Sequence, residues 1–264
     1  MTAAAHPRPS AVAQAVAIAG RSVKGVLRQP PQWVPSLVFP LFFNAVSAAA
    51  FDRTRALPGF PEVNSFLTFL LPATILQGVL LGATAAGNDA AVDIENGFFD
   101  RLVLSPMSRV SLLGGRLVGS MALGVVQVVF FLAVLSVFGA RLENPVAGIL
   151  VLVVVGALLA GAVGAFSVSI ALRTGSVEAV NGFFPIFFAA LFMSSAFFPP
   201  SLSGGWFETV ASVNPITWIV DGLREVIIEG WVPGAAAKAV AVSLALGILA
   251  IFMATRSLAA RIRT

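Results

Sequence analysis

Apolar runs of about 20 residues recur along this chain, and a helix of that length crosses a hydrocarbon layer of roughly 30 Å. They rule out most soluble folds, because a soluble helix keeps one polar face and these runs keep none. Of 264 residues, 58% are hydrophobic and 11% charged, with a mean hydropathy of +0.95. The chain is therefore read as all-α and integral to a membrane, one domain spanning residues 1–264. Cysteine is absent and His6 is the one histidine. That excludes a disulfide framework, a thiol nucleophile, a multi-histidine metal site and a histidine-dependent intramembrane hydrolase. No cofactor, metal or nucleic-acid partner is expected.

Six transmembrane helices are expected: Trp33 to Phe51, Phe66 to Ala86, Leu117 to Phe138, Val146 to Leu172, a short fifth from Gly182 to Phe198, and Ala235 to Thr255. The first is entered through "RQPPQWVP", whose prolines cannot continue a preceding helix. With six spans, eleven of the sixteen Lys and Arg residues share the side that holds both termini, and five lie opposite. Positive residues collect on the cytoplasmic side, which puts both termini inside a bacterial cell and the chain in its cytoplasmic membrane. Residues 10–29 form the pattern of an in-plane amphipathic helix: Val12, Val16, Ala19, Val23, Val26 and Leu27 share one face. Gln14, Arg21, Lys24 and Arg28 lie opposite, toward anionic headgroups.

The spans lack what ion coupling needs. A proton relay requires ionisable groups within the bilayer, and the apolar runs offer only Asn44, Gln77, Gln127 and scattered Ser and Thr. Glu178 and Asn181 stand at the inner mouth of the fifth span. An external energy source is the expectation. Gly148, Gly156, Gly161 and Gly164 line the fourth span with small neighbours, a pattern for close helix packing either within the bundle or at a dimer seam. The stretch "GFFPIFFAALF" (Gly182 to Phe192) is rich in phenylalanine, which either faces lipid or lines a path for flat apolar compounds.

Between the second and third spans lies "ENGFFDRLVLSPMSR" (Glu95 to Arg109), a polar segment in an apolar chain. As one helix from Asn88, it places Ile94, Phe98 and Leu102 on one face and Asp93, Asn96 and Asp100 on another, with Pro106 ending it. Four acids (Asp89, Asp93, Glu95 and Asp100) would be repelled by anionic headgroups. An acidic, aromatic-bearing surface suits a protein partner.

The order Glu-x-Gly-(three)-Arg-Leu-(three)-Pro, followed by Gly114-Gly115-Arg116, resembles the cytoplasmic loop of ABC-2 type exporter permeases, closest to their daunorubicin-resistance-like branch. "NPITWIVDGLREVIIEG" (Asn214 to Gly230) is similar to that family's outer segment before the last span. The resemblance implies a type V, ABCG-like transmembrane domain. In it a coupling helix containing Asp93, Glu95, Gly97, Phe98, Phe99, Asp100, Arg101 and Pro106 docks on a separate ABC ATPase subunit. Two ATPase copies and a second permease, identical or related, are implied, with ATP and Mg held by the ATPase alone. The substrate path would lie at the dimer centre, near Gln77, Asn181, Phe184, Phe187 and Phe188. Pro199, Asn214, Pro215, Asp221 and Arg224 would form the outer gate. Where the family commonly has Gly-Thr-Leu-Glu-Arg, this chain has Gly97-Phe98-Phe99-Asp100-Arg101, a more aromatic contact.

"LSGG" at Leu202 to Gly205 spells the start of an ABC ATPase signature, but the chain has no P-loop to grip a nucleotide, so it reads as a turn. Residues 199–232 are too polar to span and are expected to form two short helices dipping into the outer leaflet, anchored by Trp206, Trp218 and Trp231. Asp221 and Arg224, one turn apart, would make a surface pair contributing at most about 1 kcal/mol. The chain is thus expected to be the membrane subunit of an exporter of hydrophobic drugs, antibiotics or lipids, and not itself an enzyme. The rivals are an ion-driven secondary transporter using Glu178, an exporter of lipid-linked glycan, and a scaffold without transport.

Overall fold

The computed structural model describes residues 30–104, 109–199 and 205–262, with isolated positions at 20, 24, 25, 28 and 202. The expected amphipathic helix over 10–29 and Pro106 therefore lie outside the described residues. All regular structure among the described residues is helical. In chain order the helices are α1 (Pro30–Phe51), α2 (Phe66–Ala83), α3 (Ala85–Glu95), α4 (Phe98–Leu104), α5 (Arg109–Val137), α6 (Pro145–Thr174), α7 (Val177–Gly182), α8 (Phe184–Phe192), α9 (Gly205–Val213), α10 (Pro215–Glu229) and α11 (Pro233–Arg261). A short 3₁₀ turn, Asp52–Ala56, follows α1.

Local chemistry sets the ends. α1 begins at Pro30, ahead of the expected Trp33, because the first helical turn has no partner for an N–H and proline lacks one. The Ser65 hydroxyl accepts the Thr68 N–H and starts α2. The Asn144 side chain does the same for Ala147 at the start of α6. Gly175, in the left-handed region at φ 68°, closes α6.

Five helical segments among the described residues are long and apolar enough to cross a membrane, not six: Trp33–Ala56, Phe66–Glu95, Leu112–Val137, Pro145–Thr174 and Pro233–Arg261. The expected fifth span is a shorter apolar segment, Val177–Phe192, broken into α7 and α8 at Gly182 and Phe183. Its sixteen residues would rise about 24 Å at 1.5 Å each, short of the roughly 30 Å hydrocarbon layer. Turns follow from Met193 to Ala196.

α2 is the central column, with 89% of its apolar window buried, against 22% for α1 and for α11. α1 packs along α2, α5 along α6, and α11 along α6. The small residues of the fourth span are used within the chain. A Cβ on Gly156 would stand 2.4 Å from Val128 Cγ2, and one on Gly164 2.5 Å from Ser120 Oγ. Gly124 supplies the matching gap from α5: a Cβ there would meet Ala160 Cβ at 2.6 Å and the Gly156 carbonyl oxygen at 2.9 Å. Backbone cannot yield as a flexible side chain can. Gly124→Ala should therefore cost about 1–3 kcal/mol by overpacking, read as a lower unfolding temperature in detergent micelles; an unchanged temperature would refute this crossing.

The polar side chains of the spans bind one another. Asn44 donates to Gln77 Oε1 at 3.2 Å. Gln127 donates to Ser36 Oγ at 2.7 Å and to the Gly78 carbonyl at 2.9 Å. In hydrocarbon such bonds hold helices together, because water offers no alternative partner.

The two ends of the bundle collect the segments that the charge count groups together. One end gathers the α3–α4 turn, the α6–α7 connection and the end of α11. The other gathers residues 52–65, the α5–α6 connection and the region of α9 and α10, where Glu143 N–H donates to the Ile227 carbonyl at 3.0 Å.

Candidate functional site

At the first end, the segment read as one helix is two. Asn96 and Gly97 break it: the Gly97 N–H donates to the Ile94 carbonyl at 3.0 Å, and Gly97 then adopts φ +67°. That left-handed conformation ends α3 and turns the chain into α4, at a position where a side chain would be strained. α4 is described as far as Leu104.

This elbow divides the expected coupling residues into two sets. Phe99 is buried at 3% exposure, packed among Ala91, Leu172 and Leu258 with the Arg261 guanidinium 5.8 Å from its ring centre. It is core, and it meets no partner surface unless the elbow unpacks. Asp93 pairs with Arg116, a buried residue of α5, so that carboxylate ties α3 to the bundle. Phe98 is half-buried. The outward face carries Val92, Glu95, Asn96, Asp100, Arg101 and Leu104, all exposed. Glu95 also touches the next loop: the Val177 N–H at the start of α7 donates to its Oε1 at 3.4 Å. Burial was not legible from helical periodicity, since the break at Gly97 resets which residues share a face.

Beside the elbow, Asn181 lies exposed and its Oδ1 accepts a bond from Asn88 at 3.1 Å. Glu178 sits in the first turn of α7, where the Ser176 hydroxyl donates to its carboxylate at 2.6 Å. That bond holds Glu178 below the usual carboxylate range. A group kept charged in this way makes a poor proton carrier near neutral pH.

At the far end, Arg224 and Asp221 are not a surface pair. Arg224 is buried, its side chain 8% exposed against 41% for Asp221. Its guanidinium reaches Asp221 Oδ1 at 3.2 Å, and donates to the Ser195 carbonyl at 2.9 Å and the Ala196 carbonyl at 3.3 Å. It also lies 4.0 Å from the Phe69 ring centre on α2. The Ser195 hydroxyl donates to Asp221 at 2.6 Å. Asn214 works beside it, donating to the Ala190 carbonyl at 2.7 Å and the Met193 carbonyl at 2.9 Å, while its Oδ1 accepts the Ile216 N–H and starts α10. The last carbonyls of a helix lack intrahelical donors. Asn214 and Arg224 supply donors for those around the end of α8, and α8 is thereby tied to α10. Pro215 opens α10 in the first turn, and Pro199, buried, closes the described stretch after α8. The Leu202 N–H donates to the Pro199 carbonyl at 3.1 Å, the bond of a turn; Ser203 and Gly204 of "LSGG" lie outside the described residues. Trp206 and Trp231 are 69% and 56% exposed at this end.

The expected path residues separate. Gln77 is fully buried against Asn44. Phe184 and Phe188 meet on α8 with tilted rings whose centres are 5.4 Å apart, and Phe188 reaches Phe39 of α1 at 6.1 Å. Phe187 turns the other way, edge-on to Phe166 at 5.3 Å. Phe187 alone of the five lines an apolar cavity of about 520 Å³ bordered by α2, α6, α8, α9, α10 and α11.

A family model for the ABC-2 type transporter matches residues 13–228. Over 226 residues the chain is 26% identical to a protein described as a daunorubicin resistance ABC transporter permease, DrrB1 of Streptomyces coeruleorubidus, covering 83% of this chain and 77% of that one. It is 25% identical over 199 residues to the putative transport permease ycf38 of Cyanophora paradoxa, covering 75% and 68%. A probable doxorubicin resistance ABC transporter permease, DrrC of Mycobacterium tuberculosis, is 24% identical over 191 residues, covering 72% and 68%.

Proposed function

The chain belongs to the ABC-2 type transporter family, and from that membership we propose that it is the permease subunit of an ATP-driven exporter. It works as a dimer with a second permease and two copies of a separate ABC ATPase, which hold the ATP and Mg. Its cargo is a hydrophobic drug, antibiotic or lipid; the first two are in keeping with relatives described as daunorubicin and doxorubicin resistance permeases. It sits in a bacterial cytoplasmic membrane with both termini inside, and α8 with the turns after it completes a sixth crossing in the type V arrangement, leaving α7 and Glu178 at its inner mouth.

The observation that carries this reading is the elbow at Gly97. It presents Glu95, Asp100 and Arg101 outward, and it is anchored to the bundle through Asp93–Arg116 and through Phe99. A push on the exposed face is transmitted to α5 and α11 by packed side chains. Closure of the ATPases moves the elbows together, the permeases rock, and the outer segment held by Asn214 and Arg224 opens. Ion drive has little to work with, since Glu178 is exposed and hydrogen-bonded and the polar residues within the spans pair with one another.

The test is a search of the neighbouring reading frames for an ABC ATPase, co-purification with it, and reconstitution with drug-stimulated ATP hydrolysis. Export abolished by ATP depletion supports the proposal. Uphill transport by this chain alone, collapsing with the proton gradient, would sink it.

A further inference from the structure

We infer that the cavity of about 520 Å³ within a single subunit is a binding site for one acyl chain of a membrane lipid. The volume lies within the range of about 300–1,000 Å³ common for small-molecule sites. Its floor includes Leu76, Leu159 and Val163, all buried, and its rim includes Met193, Val213 and Leu249, which are 40%, 68% and 57% exposed.

The polar inventory selects the ligand. Asn214 is the one polar side chain in the lining, and it is spent: its amide N–H groups serve the Ala190 and Met193 carbonyls, and its Oδ1 takes the Ile216 N–H. Nothing on its side chain is left to receive a headgroup, a sugar or a charged drug, and burying such a group unpaired is costly. The occupant of the floor is therefore hydrocarbon.

The rim selects the source. Leu249 is continuous with exposed Ile248 and Phe252 on α11, a helix of membrane-spanning length. The medium against that face is bilayer hydrocarbon. An acyl chain enters from it without desolvation, and gains the dispersion contacts that an empty cavity forfeits. A helix from a second copy is a poorer fit: at about 10 Å across and 5.4 Å per turn, little more than one turn would seat there. The walls α8 and α10 are locked together by Asn214 and Arg224, so the site is preformed.

This inference stands on the membrane location and not on the transport cycle, so its test needs neither ATPase nor drug. The full chain is reconstituted in phosphatidylethanolamine and phosphatidylglycerol vesicles containing a lipid with a diazirine near the end of one acyl chain. After illumination, adducts are mapped by mass spectrometry. Adducts on Leu159, Val163 and Leu246 are expected, and Val163→Trp, which fills the floor, should reduce them about tenfold while leaving those on Ile248 and Phe252. Leu246→Trp, entering from α11, should act alike and guards against misfolding of the first variant. Labelling confined to Ile248 and Phe252 in the unaltered protein would overturn the inference. So would floor residues that become labelled only when subunits are dissociated, which would assign the cavity to a second copy.

Discussion

Arg224→Ala is expected to cost about 3–5 kcal/mol, the range for removing one partner from a buried charged cluster. The side chain holds the Ser195 and Ala196 carbonyls and covers the Phe69 ring, and its loss leaves those carbonyls without their donor. Arg224→Lys should fail to rescue, because an ammonium lacks the planar fork that reaches two carbonyls and a carboxylate at once. Asp221→Ala should cost much less, about 1 kcal/mol, since that carboxylate is 41% exposed and screened. Thermal unfolding of the three variants in one detergent measures all of this. Equal losses for Arg224→Ala and Asp221→Ala would mean that the ion pair matters and the carbonyl bonds do not.

Arg101→Glu should leave the bundle as stable as before, within about 0.5 kcal/mol, because the side chain is exposed. Under the proposed coupling role, its effect belongs at the ATPase contact. Reversing a charge across a complementary interface costs several kcal/mol, so co-purification of the ATPase and drug-stimulated hydrolysis should fall by about tenfold or more. Phe99→Ala is the contrasting change. It removes a buried ring and should cost about 3–5 kcal/mol of folding stability whether or not the ATPase is present. Assembly and export unchanged by Arg101→Glu would remove the elbow from the coupling role.

The same stretch shows how far pattern reading reaches. Its polarity and its acids set it apart within an apolar sequence. A continuous helix sets Phe98 and Asp93 on different faces, and the family resemblance assigned both, with Phe99, to the partner contact. The Gly97 turn separates them, burying Phe99 and committing Asp93 to Arg116. Arg224 makes the same point at the other end. A spacing of three from Asp221 suggests a modest surface pair, while its principal partners, the Ser195 and Ala196 carbonyls, lie almost thirty residues away in the chain. No local pattern encodes that distance.

Local sequence sufficed for the membrane class, the places of five long helices and the polar loop. Hydrophobicity and run length act residue by residue, without reference to a neighbour in space. The break of the expected fifth span, the burial of Phe99 and Arg224, the pairing of Asn44 with Gln77 and the cavity between α2, α6 and α10 were decided only in three dimensions. Each depends on which helix faces which. In a bundle whose helices are apolar all round, sequence periodicity does not select the facing side; close packing at small residues and the satisfaction of a few polar groups do.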